Sequence, residues 1–200
     1  MIRTTESAQH WRIRMLPKDL GVALVLLVAL ALALLLRSQV EGRTTTFQAQ
    51  DLPFSIAYPA GWSTSEEEGR LLFASDPLTP STFKTQLSVE SALLDPASPP
   101  TLQTLIDRRV DERDDLTAYY LMGQEETTVD GAPAHYLEYA YVVQPIDTPG
   151  RPALPVVVHA REYIVQTPDS AYYITLAAPA DAFEAASAQF DRIMQTVNVQ

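Results

Sequence analysis

The chain is 200 residues long, contains no cysteine and carries 14 Lys plus Arg against 25 Asp plus Glu, a formal net charge of -11. The charge is uneven: 6 basic and 3 acidic residues precede Thr44, and from Thr44 onward the balance is 8 against 22, a formal -14. So acidic a domain repels phosphate backbones and anionic headgroups, which argues against nucleic acid as a partner, and the missing cysteines exclude disulfides, thiolate metal sites, cysteine nucleophiles and a lipid-accepting cysteine.

Residues 1–19 form a basic tail. Residues 20–36, LGVALVLLVALALALLL, hold no polar side chain. As a helix this block would be about 25 Å long at about 1.5 Å per residue, the short end of what crosses a bilayer, extended by the snorkelling charges of Lys18 and Arg37. A cleaved signal peptide would have a shorter apolar run followed by a small-x-small site. Here RSQVEGR follows, and the Ala-x-Ala of Ala31 and Ala33 lies inside the run. The block therefore reads as an uncleaved signal-anchor that meets membrane lipid. Arg3, Arg12, Arg14 and Lys18 precede it and only Arg37 and Arg43 follow, so the N-terminus is expected in the cytoplasm and the acidic domain outside.

Residues 37–50 are polar and read as a stem, with an extracytoplasmic domain over 51–200. In PFSIAY, the residues Phe54, Ile56 and Tyr58 alternate as in a half-buried strand; PAGW turns the chain, SEEEG is a charged loop, and LLFAS and KTQLSVES are further strands. DPASPP is a loop, because its prolines cannot serve a central ladder. Thr101 is the predicted N-cap of a helix in which Leu102, Leu105, Ile106, Arg109 and Val110 share a face, and DERDD stops it near Arg113, since acids oppose the dipole there. Asp107, Asp111 and Asp114 also share a face, but Arg108, Arg109 and Arg113 can neutralise them, so a solvated charged face is preferred to a metal site.

Four long strands follow: YYLMGQEETTV, APAHYLEYAYVV, PVVVHAREYIVQ and AYYITLAA, joined by DG, by QPIDTPGRPAL and by TPDS. Such joints predict an antiparallel meander. In PADAFEAASAQFDRIMQTV, opened by Pro179, the residues Phe183, Ala186, Phe190, Ile193 and Val197 make one apolar stripe of a terminal helix. The fold class is α+β, an antiparallel sheet flanked by helices.

Chemistry is sparsely signalled. His135 and Glu138 are three apart, which in a strand sends them to opposite faces, and the same holds for His159 and Glu162. If the two strands pair so that His159 and Arg161 stand beside Tyr141 and Tyr139, then His135, Tyr139, Tyr141, His159 and Arg161 form a candidate patch for an anion or a partner's carboxylate. That register is one choice among neighbours, a one-residue slip dissolves the patch, and ordinary cross-strand packing is the preferred reading. Gly61, Gly69, Gly123, Gly131 and Gly150 stand singly, no serine sits in a Gly-x-Ser-x-Gly elbow, and the histidines lack zinc spacing. No cofactor, metal or catalytic residue is nominated.

FSIAYPAGW, VDGAPAHYLEYAY and AYYITLAAPADAFEAASAQFDRIMQTV together resemble the PsbP-like superfamily, which includes the extrinsic PsbP subunit of photosystem II, over about 47–199. The resemblance implies an α/β/α sandwich without shared catalytic machinery, in a family whose characterised members mostly bind other proteins. Tyr58, Pro59, Gly61 and Trp62 match its opening pattern, with structural roles. The anchor departs from photosynthetic PsbP and puts a photosystem role in doubt. The expected function is a single-pass, non-catalytic binding or accessory module with a protein partner in the cell envelope. Its rivals are an envelope small-molecule binder or enzyme using the Tyr/His/Arg patch, and a membrane-complex subunit recognised through its helix.

Overall fold

The computed structural model describes residues 21–32, 42–144 and 154–200. The chain divides after Gly42. Before that point a helix, α1, covers 21–32, and its apolar side chains, Val22 and Leu24 to Val28 among them, are exposed. No helix among the described residues is long and apolar enough to cross a membrane. The predicted anchor, 20–36, extends beyond α1 at both ends, so its outer residues and the basic tail of 1–19 lie outside the described residues.

From Arg43 onward the described residues build two sheets and two helices. Strands β1 (Thr44–Gln48) and β2 (Ser55–Pro59) pair antiparallel, Thr44 opposite Pro59 and Gln48 opposite Ser55. Within the stretch read as a stem, 37–50, residues 44–48 are therefore a strand. TTTFQ is too polar to announce a strand, but β1 is a mostly exposed strand with only Phe47 turned inward, so its ladder rather than its side chains secures it.

Seven strands form the main sheet in the order β3-β4-β5-β9-β8-β7-β6. They are β3 (Ser63–Thr64), β4 (Arg70–Ser75), β5 (Gln86–Leu93), β6 (Tyr120–Val129), β7 (Ala132–Val143), β8 (Val156–Gln166) and β9 (Ser170–Pro179), and every pairing is antiparallel. The four C-terminal strands are the predicted meander. At the β6–β7 joint Asp130 and Gly131 both take positive φ, 50° and 78°, the tight-turn geometry that Asp-Gly favours. Strand β9 lies between β5 and β8, and both its faces are buried, which is why AYYITLAA is apolar without alternation.

Helix α2 (Leu102–Asp114) starts at Thr101, whose hydroxyl accepts from the Thr104 N–H at 3.2 Å, and presses Leu105 and Ile106 against one face of the sheet, with Leu137, Ala160, Ile164 and Tyr173. Helix α3 (Phe183–Met194) lies on the other face with the β1–β2 pair; Phe183, Ala186, Phe190 and Ile193 pack with Phe54, Ile56, Trp62, Tyr172 and Ile174. The expected start of α3 at Pro179 is corrected: Pro179 is the last residue of β9, opposite Val158, and the helix begins four residues later. A proline tolerated at a helix start is equally tolerated where a strand leaves its ladder. The result is three layers, α2, the sheet, then α3 with the β1–β2 pair.

Candidate functional site

The β7–β8 register decides the predicted patch. Tyr141 stands opposite Val158, Tyr139 opposite Ala160, and His159 and Arg161 oppose Ala140 and Glu138. This is one residue away from the pairing that would join them. Tyr139 and Tyr141 therefore point to the α2 face, while His159 and Arg161 point to the α3 face, where each ring or guanidinium lies about 5.2 Å from Phe183. The five-residue patch is not assembled. His135 shares the Tyr139 face by alternation but is buried beside Gln124, 3.4 Å from its Oε1, and burial holds its pKa below the ordinary value against the pull of Glu126.

The same register brings together a group the sequence did not nominate. Glu162, opposite Leu137, is fully buried on the α2 face. Arg109 donates through Nε to its Oε1 at 2.5 Å, and Arg113 donates to both oxygens, at 2.8 and 3.0 Å. The Tyr139 hydroxyl and the Thr175 hydroxyl each add a bond of 3.1 Å. Arg109 also meets Glu90 of β5 and Glu112 at 2.9 Å and lies 4.5 Å above the Tyr173 ring. Burial alone would raise the Glu162 pKa; the bonds and charge of Arg113 and Arg109 overcome it and hold the carboxyl below its ordinary value. Burial also pushes Tyr139 well up, and Tyr141 up to about 12. Neither phenol is a base or nucleophile near neutral pH.

The ion pairs link α2 to β5 and β8, and the hydroxyl bonds to Glu162 add β7 and β9. Every oxygen of Glu162 is occupied by protein donors, so the cluster fastens the helix and offers no free acid for chemistry. Its sequence signal was present but faint: Arg109 sits on the apolar stripe of α2, and Glu162 occupies the buried-face position between Ala160 and Ile164.

An open polar groove lies on the α3 face. Tyr136, Glu138, Arg161, Tyr163 and Asp191 line a groove of about 510 Å³, completed by Gly123, Gln124 and Glu125 of β6. The Tyr136 hydroxyl donates to Glu138, Arg161 donates to Asp191 at 3.3 Å, and its Nε is 3.8 Å from Glu138. Three carboxylates face one cation, so the groove is negative. A second, mostly apolar hollow of about 640 Å³ lies among Phe47, Ala49, Leu52, Leu71 and Leu93.

Among the described residues no three His, Asp or Glu side chains are grouped to hold a metal, Asp107, Asp111 and Asp114 included. Tyr58 and Trp62 are buried, and the Trp62 N–H donates to the Pro59 carbonyl at 3.0 Å, closing the turn over Gly61.

No family model matches the chain, and no curated protein matches it in sequence. Solved structures do. The solution structure of the cyanobacterial PsbP protein, CyanoP, of Synechocystis sp. PCC 6803 aligns with TM-score 0.59 at 15% identity, over 78% of this chain and 92% of that one. LpqN, a protein involved in cell envelope biogenesis of Mycobacterium tuberculosis, aligns with TM-score 0.54 at 12% identity, over 78% of this chain and 91% of its own. With the antiparallel sheet between α2 and α3 and the resemblance carried by FSIAYPAGW and VDGAPAHYLEYAY, these likenesses establish that the chain has a PsbP-like fold.

Proposed function

We propose that this protein is a membrane-anchored, extracytoplasmic accessory module that works by binding another protein of the cell envelope rather than by catalysis. The observation that carries the reading is a contrast between two polar clusters. The ion pairs around Glu162 are buried and fasten α2, while Tyr136, Glu138, Arg161 and Asp191 line an open groove at the surface, a shape suited to docking. The involvement of LpqN in cell envelope biogenesis and the apolar block of residues 20–36 support the envelope setting. Gentle crosslinking in cells followed by purification tests the proposal. A recurrent partner is expected, and recovery of the protein alone from several growth conditions removes its support. Exchanging residues 20–36 for an unrelated apolar helix should leave that partner bound; loss of assembly would instead favour recognition through the helix.

The apolar hollow at Phe47, Leu52 and Leu93 favours a second reading, a carrier of small apolar molecules, because its size suits a small ligand. Widening it with Leu52→Ala should change a ligand-induced rise in melting temperature under that reading, and leave partner recovery unaltered under the first.

A further inference from the structure

Ten-residue β6 closes one end of the seven-stranded sheet, bonded to β7 on one side; among the described residues no strand pairs with its other side. A free strand edge is a template for another strand, and what it accepts depends on its side chains. Glu125 and Glu126 stand next to each other on it, exposed, and alternation sends them to opposite faces. Two copies meeting edge to edge would set these acids against their equivalents, so the edge disfavours its own kind. A strand with basic residues meets the opposite situation. On the α3 face its side chains would enter the groove where Glu125, Glu138 and Asp191 outnumber Arg161, beside the paired rings of Tyr136 and Tyr163, 5.3 Å apart. Gly123 keeps the mouth of that groove clear, since a Cβ there would meet nothing within 4 Å.

We propose that the outer edge of β6 and the adjoining groove receive an extended segment of a partner protein that carries Lys or Arg. Main-chain bonds run along Gly123 to Val129, beyond the register shift between Leu121 and Gly123, and alternate basic side chains enter the groove. The proposal rests on the binding-module reading and specifies its surface.

Full-length protein in phosphatidylcholine nanodiscs, whose zwitterionic lipid does not attract the probe, is titrated against a dye-labelled short peptide alternating Lys and Val, with fluorescence anisotropy as the readout. Expected is saturable binding that Glu125→Lys weakens about tenfold, that Gly123→Leu also weakens, and that a peptide with Glu in place of Lys lacks. The same lysine peptide with alternate amides N-methylated, which cannot complete a ladder, should bind weakly. Glu125 is exposed and a Cβ at Gly123 meets nothing within 4 Å, and unchanged circular dichroism confirms that the variants fold. Equal binding of the N-methylated peptide, or no binding of the lysine peptide to the unaltered protein, overturns the proposal. So does a dimer in sedimentation that Glu125→Lys dissolves, because the edge would then serve a second copy. If crosslinked partners are recovered undiminished with Glu125→Lys, the binding-module reading survives and this surface does not.

Discussion

The two faces of the main sheet hold their helices by different physics. On one, α3 is seated by Phe183, Ala186, Phe190 and Ile193 among aromatic and aliphatic side chains, with no side-chain cap at Ala182. On the other, α2 carries a buried arginine in its packing stripe and is tied down through Glu162. Apolar seating is additive and nearly indifferent to pH. Ionic seating is all or nothing, because each buried charge is tolerable only while its partners remain.

The largest expected effects separate the two. Phe190→Ala should cost about 3–5 kcal/mol of stability, from lost burial plus the cavity left behind. Glu162→Ala should cost a similar amount, about 3–5 kcal/mol, by leaving Arg113 without its carboxylate and taking from Arg109 its buried one. Urea unfolding of the full-length protein in detergent micelles measures both. The ionic origin is exposed by a triple replacement, Glu162→Leu with Arg109→Met and Arg113→Met, which removes the buried charges together, leaves the more exposed Glu90 and Glu112 to solvent, and should restore most of the loss. A triple variant as unstable as Glu162→Ala would mean that the bonds themselves, not the stranded charges, hold α2.

pH sharpens the same contrast. The folded-state pKa of Glu162 lies below its ordinary 4.5, so its ionisation favours the folded state fully above that value, and the advantage disappears as pH falls through the lower folded value. The stability gap between the unaltered protein and Glu162→Ala should therefore be constant above about pH 5 and shrink in stronger acid. The Phe190→Ala gap should not change over the same range. Urea midpoints collected as a function of pH decide this, and parallel profiles for the two variants would sink the distinction.

A smaller effect is expected at Tyr139, whose hydroxyl donates to Glu162 at 3.1 Å. Tyr139→Phe keeps the ring between Tyr119 and Tyr141 and removes one bond to a charged acceptor, a loss of about 1.5–3 kcal/mol by the same unfolding measurement.

The contrast also explains what could be read from the sequence. The α3 face was legible almost residue by residue, because apolar side chains at helical or strand spacing announce themselves one element at a time. The meander was legible for a similar reason, with Asp130–Gly131 fixing one hairpin locally. The Glu162 cluster was not, since its members come from α2, β5, β7, β8 and β9, and none of those segments states its register against the next. The predicted patch failed at that step. Nothing local in 144–154 distinguishes Tyr139 opposite Arg161 from Tyr139 opposite Ala160, yet the difference moves His159 and Arg161 to the other face. Strand β1 was hidden for another reason: an exposed pairing strand needs no apolar pattern.

The smallest test concerns how each helix begins. Thr101 has extended backbone angles, φ -72° and ψ 156°, and its hydroxyl bonds both the Thr104 N–H and the Thr104 hydroxyl. Thr101→Ala should therefore cost about 1 kcal/mol. At the head of α3, Ala182 has helical angles, φ -104° and ψ -9°. A serine there does not aim its hydroxyl along the capping direction, which requires an extended residue, so Ala182→Ser should leave stability within about 0.5 kcal/mol of the unaltered protein. A gain near 1 kcal/mol from Ala182→Ser would mean that α3 starts with a free donor the serine can reach, and that its seating owes more to its first turn than to Phe183 and Phe190.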